Sequence, residues 1–181
     1  MQEQFIAGTK VLVKRGTVES TGKGQSTPLF SQINGVTFDD GEAIREFVQA
    51  ESSIAAWLAP GVEGTFVLTK GPGKVLLLAA VETDKGLRVA NPKFATHITA
   101  EATGHLVWYG LFAIGMFFLV ITPFFIFTAP IFLTLLGLAV KGLMRLGPYS
   151  AFLSLVKALD RTRQLPTGAS DTAGAPAAVA A

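Results

Sequence analysis

EATGHLVWYGLFAIGMFFLVITPFFIFTAPIFLTLLGLAVK, residues 101–141, decides how this chain is read. Between Glu101 and Lys141 lie 39 residues with no Asp, Glu, Lys or Arg. A run of about 18 such residues already reads as a membrane-spanning helix. As one straight helix the run would be about 58 Å long, at 1.5 Å per residue. The hydrocarbon core of a bilayer is only about 30 Å thick. The run is therefore expected either to cross twice or to fold back within the bilayer.

Prolines supply the places to turn. Thr122-Pro123 and Ala129-Pro130 both interrupt helix propagation, because proline lacks an N–H and crowds the preceding turn. The expectation is a transmembrane helical hairpin over 101–146, with spans at about 105–122 and 128–146. Its apex falls at 124–127 and its turn residues are Pro123 and Pro130. Ten large apolar residues in the first span favour insertion by about 3–6 kcal/mol in sum. The apex itself, Phe-Phe-Ile-Phe, is apolar. A re-entrant wedge, or one span with a protein-buried remainder, are the alternatives to two crossings.

The flanks set the orientation. Trp108 and Tyr109 stand where an interfacial aromatic belt falls. Lys141 and Arg145 can snorkel to the headgroups at the other end. Lys85, Arg88 and Lys93 precede the hairpin, and Lys141, Arg145, Lys157, Arg161 and Arg163 follow it. Basic residues favour the cytoplasmic side, so both termini are expected there, in a multi-pass protein of a membrane such as a bacterial inner membrane. The first six residues, Met-Gln-Glu-Gln-Phe-Ile, lack the basic and apolar regions of a signal peptide.

Beyond the hairpin, residues 147–163 have an amphipathic helical period. Phe152, Leu155, Val156 and Leu159 share one face; Ser150, Ser154, Lys157 and Arg161 share the other. The helix is read as juxtamembrane, lying in the interface with its basic face on anionic headgroups. Packing on the soluble domain is the alternative. Residues 164–181, rich in Ala, Gly, Pro, Ser and Thr, read as a disordered tail.

Upstream, residues 1–100 carry ten basic and ten acidic residues and form a cytosolic β-rich domain with one helical insert. A strand is expected at 10–19 with a bulge at Gly16, then a polar loop at 20–28. Strands 29–33 and 36–38 flank Asn34-Gly35, a hairpin signal. Asp39-Asp40 are read as caps for a helix over 41–58 whose apolar face holds Ile44, Phe47, Val48, Ile54, Trp57 and Leu58. Strands at 65–69 and 74–81 surround Gly71-Pro72-Gly73, and 87–90 is a last short strand. Four to six strands in about 90 residues suggest a small barrel or half-barrel, SH3-like or OB-like. The fold class expected is α+β.

Little in the chain points to chemistry. With no cysteine there is no thiolate nucleophile or thiolate metal site. No P-loop spacing or nucleophile elbow is present. His97, Glu101 and His105 recur every four residues, as on one helix face, but a solvated linker is the better reading, because Pro92 and Gly104 interrupt the stretch. No cofactor, no metal and no catalytic residue is expected. The function expected is that of a non-enzymatic, membrane-anchored adaptor or accessory protein. Its partners would be the lipid bilayer and a membrane or cytosolic protein. Nucleic acid is not expected, given the balanced charge. The rival reading is a membrane-perturbing or pore-forming hairpin oligomer, since seven of the fourteen phenylalanines fall within 112–132. Homo-oligomerisation stays open, because the hairpin glycines lack the four-residue spacing of the small-xxx-small motif.

Overall fold

The computed structural model describes residues 1–120 and 125–162. The order is β1 (Gln2–Ile6), β2 (Thr9–Thr21), β3 (Gly24–Ser26), β4 (Phe30–Phe38), β5 (Ala43–Glu51), α1 (Ser52–Ala55) with a 3-10 turn (Ala56–Leu58), β6 (Glu63–Lys70), β7 (Val75–Thr83), β8 (Gly86–Val89), α2 (Pro92–Val120) and α3 (Phe125–Thr162). The class is α+β. Strands β2, β6, β7, β5 and β4 pair in that order, and β2 pairs again with β4, so five strands close a barrel. The other three are edge additions: β1 on β2, β3 on β4, and β8 on β7. All pairs are antiparallel except β5 with β7.

Several local expectations give way to tertiary pairing. The helix expected over 41–58 is a strand up to Glu51, and only its last residues are helical. Ile44 and Val48 are four apart, which is nearly one helical turn but also two strand repeats. Pairing with β4 and β7 selects the strand, and Ile44, Val48 and Ala50 face the core while Phe47 faces out. Asn34-Gly35 is not a hairpin turn. Both residues lie inside β4, and the register to β5 shifts between Asn34 and Val36. Gly35 supplies the φ of +83° that this bulge requires. The chain reverses instead at 39–42, where Gly41 N–H donates to Phe38 O and Phe38 N–H to Glu42 O. Asp39 and Asp40 belong to that turn and cap no helix. Within the polar stretch 20–28, β3 pairs with β4. The turn at Gly71-Pro72-Gly73 joins β6 to β7 as expected.

One apolar cluster unites both ends of the chain. Val11, Val18, Phe38, Phe66, Leu68 and Leu77 from the strands are fully buried together with Phe152, Leu155 and Val156 from α3. Phe38 and Phe66 meet edge to face at 5.4 Å, and Phe94 of α2 meets Phe152 at 6.4 Å.

α2 and α3 form an antiparallel pair. Phe94 lies against Phe152, Thr99 Oγ1 donates to Tyr149 O at 3.3 Å, and Phe117 lies against Phe132 at 6.0 Å. Neither helix stops where the chain leaves the barrel. Pro92 opens α2 at the position where a missing N–H costs nothing, and Gly104 is helical. No linker separates barrel from hairpin. Pro130 lies inside α3, not at the turn, and so does Pro148. α3 begins at Phe125, so 125–127 are helical rather than an apex. Pro123, Phe124 and the tail at 164–181 lie outside the described residues.

Candidate functional site

The surface that stands out is the outside of the α2–α3 pair. Its inner seam is built from residues at alternating spacings of three and four. On α2 these are Ala102, Leu106, Tyr109, Ala113 and Met116; on α3 they are Phe132, Leu135, Ala139, Gly142 and Leu146. This is the spacing of near-antiparallel helices that cross at a shallow angle. Small residues let the backbones approach. A Cβ on Gly142 would stand 3.4 Å from the Leu106 Cα, tighter than most real contacts allow without adjustment.

Bulky residues point the other way. Trp108, Leu111, Ile114, Ile131, Leu133, Leu143 and Met144 are all more than half exposed. A helix in water places such residues inward. Here both faces of each helix are apolar, and no described part of the chain covers the outer ones. Among the described residues, one helix is long and apolar enough to cross a membrane, over Ala129–Thr162, with mean hydropathy 1.6 and only 11% of its window buried.

At the base of the pair, several expected site residues gather at one height. Leu106 meets Gly142, so His105, Trp108 and Tyr109 on α2 stand level with Lys141 and its neighbours on α3. Trp108 packs edge-on to Phe112 at 4.9 Å, and Tyr109 stacks on His105 at 5.8 Å. Lys141 and Arg145 are exposed. Lys157 and Arg161 are not part of this group. They lie about 18 Å or more further along α3, by helical rise from Arg145. They are exposed beside the barrel, on the face opposite Phe152, Leu155, Val156 and Leu159. That apolar face is spent on the barrel core, so the helix packs on the domain instead of lying in an interface.

His105 Nε2 lies 3.9 Å from Glu101 Oε1, both exposed. Among the described residues no three His, Asp or Glu side chains come together as a metal-binding group.

A second polar cluster was not anticipated. Lys14 of β2 stands opposite Phe66 of β6, and its side chain is only 4% exposed. Its ammonium lies 5.2 Å from the centre of the Phe38 ring and pairs with Asp40 and with Glu42, the latter at 2.6 Å. Burial works to lower the Lys14 pKa, but hydrogen bonds to Asp40 and Glu42 outweigh it and hold it above the ordinary lysine value. The same Lys14 contact, with smaller help from the Glu42 N–H for Asp40 and from the chain's amino terminus for Glu42, holds both carboxyls below theirs. An amine held so firmly protonated is a poor nucleophile or base; the cluster closes the barrel at the 39–42 turn. The sequence carries a trace of it, a lysine in a strand otherwise rich in valine, and an acidic turn after β4.

No family model, no curated protein and no solved structure matches the chain.

Proposed function

We propose that the chain is a membrane-anchored, non-enzymatic adaptor, whose α2–α3 pair sits in a lipid bilayer and holds the β-barrel at its cytoplasmic face. The observation that carries this reading is the exposed apolar outer face of the hairpin: its buried positions are Ala102, Ala113, Ala139 and Gly142, while Trp108, Leu111, Ile114, Leu133 and Met144 point away from the seam. Lipid is the solvent that accepts such a surface. Trp108, Tyr109, Lys141 and Arg145 would then lie at the near headgroups, where aromatic and basic side chains are favoured.

The shared core supports a return to the same side. Phe94, Ala95 and Ile98 precede the charge-free run, and Phe152, Leu155 and Val156 follow it, yet they pack together. A single crossing would leave these segments on opposite faces of the bilayer. A hairpin leaves them on one. The basic residues flanking the hairpin favour the cytoplasm for that side. The self-contained seam favours an anchor over a pore, because each helix already has its partner within the chain. As an adaptor, the barrel gains from anchoring because its partner is met at high local concentration.

The experiment is affinity capture of the full chain from detergent-solubilised membranes. The control keeps the seam and the barrel wall but replaces outward Leu111, Ile114, Leu133 and Met144 with glutamate or lysine. The expected result is a stable set of co-purifying proteins that the control, folded and soluble, fails to retain. Alkaline washing that strips the wild-type chain from membranes would defeat the anchor itself.

A further inference from the structure

We infer that the return leg of the hairpin is the outer wall of the barrel, so that the β-domain reaches its native form only when α2 and α3 are paired in the bilayer. The inference rests on the membrane reading above and adds a conformational dependence to it.

Consecutive burial carries it. Successive residues of a strand point to opposite faces. In β6, Phe66, Val67, Leu68 and Thr69 are all buried, and in β7 the whole run 76–81 is buried. In β2, Val11, Val13 and Lys14 are buried as well. Both faces of these strands are therefore covered. One face lines the closed barrel. The other is covered by the helices: α3 packs on β2, β7 and β8, and Thr9 Oγ1 donates to Ala151 O at 3.3 Å. The wall residues Phe152, Leu155, Val156 and Leu159 are at most 1% exposed.

Chain order gives this a consequence. The wall is the last described part of the chain to be made, and the whole hairpin comes before it. It reaches the barrel only after the chain has turned back. α2 is fixed at its own start, where Ala90 N–H donates to Ala79 O at 2.8 Å and Asn91 N–H to Glu51 Oε2 at 2.5 Å. With both helices continuous into the core, a hairpin that fails to pair leaves the outer faces of β2 and β7 open to water. The barrel's surfaces are then presented at a membrane and nowhere else.

The test is cell-free synthesis of the full chain with and without phosphatidylcholine–phosphatidylglycerol vesicles, followed by vesicle flotation and limited proteolysis of the strands. With vesicles, the wild-type chain floats and its strands are cut at least tenfold more slowly than without them. Leu155→Asp, outside the lipid segment, still floats but loses that protection. A chain with Leu111, Ile114, Leu133 and Met144 changed to glutamate or lysine is protected with or without vesicles. Equal protection of the wild-type strands without vesicles, or full protection in Leu155→Asp, overturns the inference while leaving flotation intact. Failure of the wild-type chain to float is a different result and defeats the membrane reading.

Discussion

The barrel and the hairpin bury opposite kinds of residue. In the barrel Phe38, Phe66 and Leu68 are fully inside, though Phe5 and Phe47 face out, and charged residues other than Lys14 stay at the surface. In the hairpin Ala113, Ala139 and Gly142 are inside, while Leu133 and Met144 are 64% and 73% exposed. Water explains the first pattern, since burying large apolar area is what stabilises a fold there. It does not explain the second. In lipid, moving leucine from solvent to seam gains nothing, and close backbone approach through small residues takes over as the source of contact. On the proposed membrane reading the boundary between water and lipid falls within single helices, because α2 and α3 run on from the barrel without a break.

The largest expected effect lies where α3 enters the barrel. Phe152→Ala should cost about 3–5 kcal/mol, as for a fully buried aromatic. Met144→Ala, eight residues earlier on the same helix, should change stability by no more than about 0.5 kcal/mol. Denaturant unfolding of the barrel in mild micelles measures both. Similar costs at the two positions would erase the contrast between regions.

A charge on the outer face of the hairpin sharpens the contrast from the lipid side. Leu133→Arg should oppose insertion by about 2.5–3.5 kcal/mol if it lies near the bilayer centre. Glu46→Arg, exposed on β5, should leave membrane partitioning unchanged. Flotation with vesicles reads this directly. A smaller effect is expected at the seam. Gly142→Leu should push α2 from α3 and cost about 1–3 kcal/mol through overpacking. Gly137→Leu, with open space around a built Cβ, should be tolerated. Thermal loss of helical circular dichroism in micelles separates them.

These contrasts also mark what the sequence made legible. The charge-free run announced the paired helices, because a stretch of 39 residues without charge has few other readings. The amphipathic period of 152–159 was visible too, but periodicity says only that a face is apolar, and both a bilayer and a barrel accept one. The choice depends on β2 and β7, which no local pattern connects to α3. Proline misled at Pro130, since the helix continues through it. The 44–48 spacing misled because it fits two periods at once. Lys14 was hidden for a related reason: its partners Asp40 and Glu42 are more than twenty residues away, and only barrel closure brings them together.

That buried lysine offers the subtlest test, because it is the one charge that follows neither region's rule. Its partners are about half exposed, at 52% and 48%, so they remain hydrated if the lysine is lost. Lys14→Met should therefore change stability at neutral pH much less than Phe152→Ala, since an apolar side chain of similar size suits the space beside Phe38. The pH profile should change more than the midpoint. Asp40 and Glu42 have pKa values below their unfolded ones, so their contribution is complete above the ordinary carboxylate range and disappears as pH falls through about 4 and below. Lys14 has a pKa above its unfolded value, so its contribution is complete below about 10 and disappears as pH rises past that. Wild-type barrel stability should thus show a plateau with an acid and an alkaline shoulder, and Lys14→Met should flatten both. Flattening of only the alkaline limb would mean that Asp40 and Glu42 draw their stabilisation from elsewhere, namely the Glu42 N–H and the amino terminus. An unchanged profile would mean that the ion cluster contributes nothing to the barrel it closes.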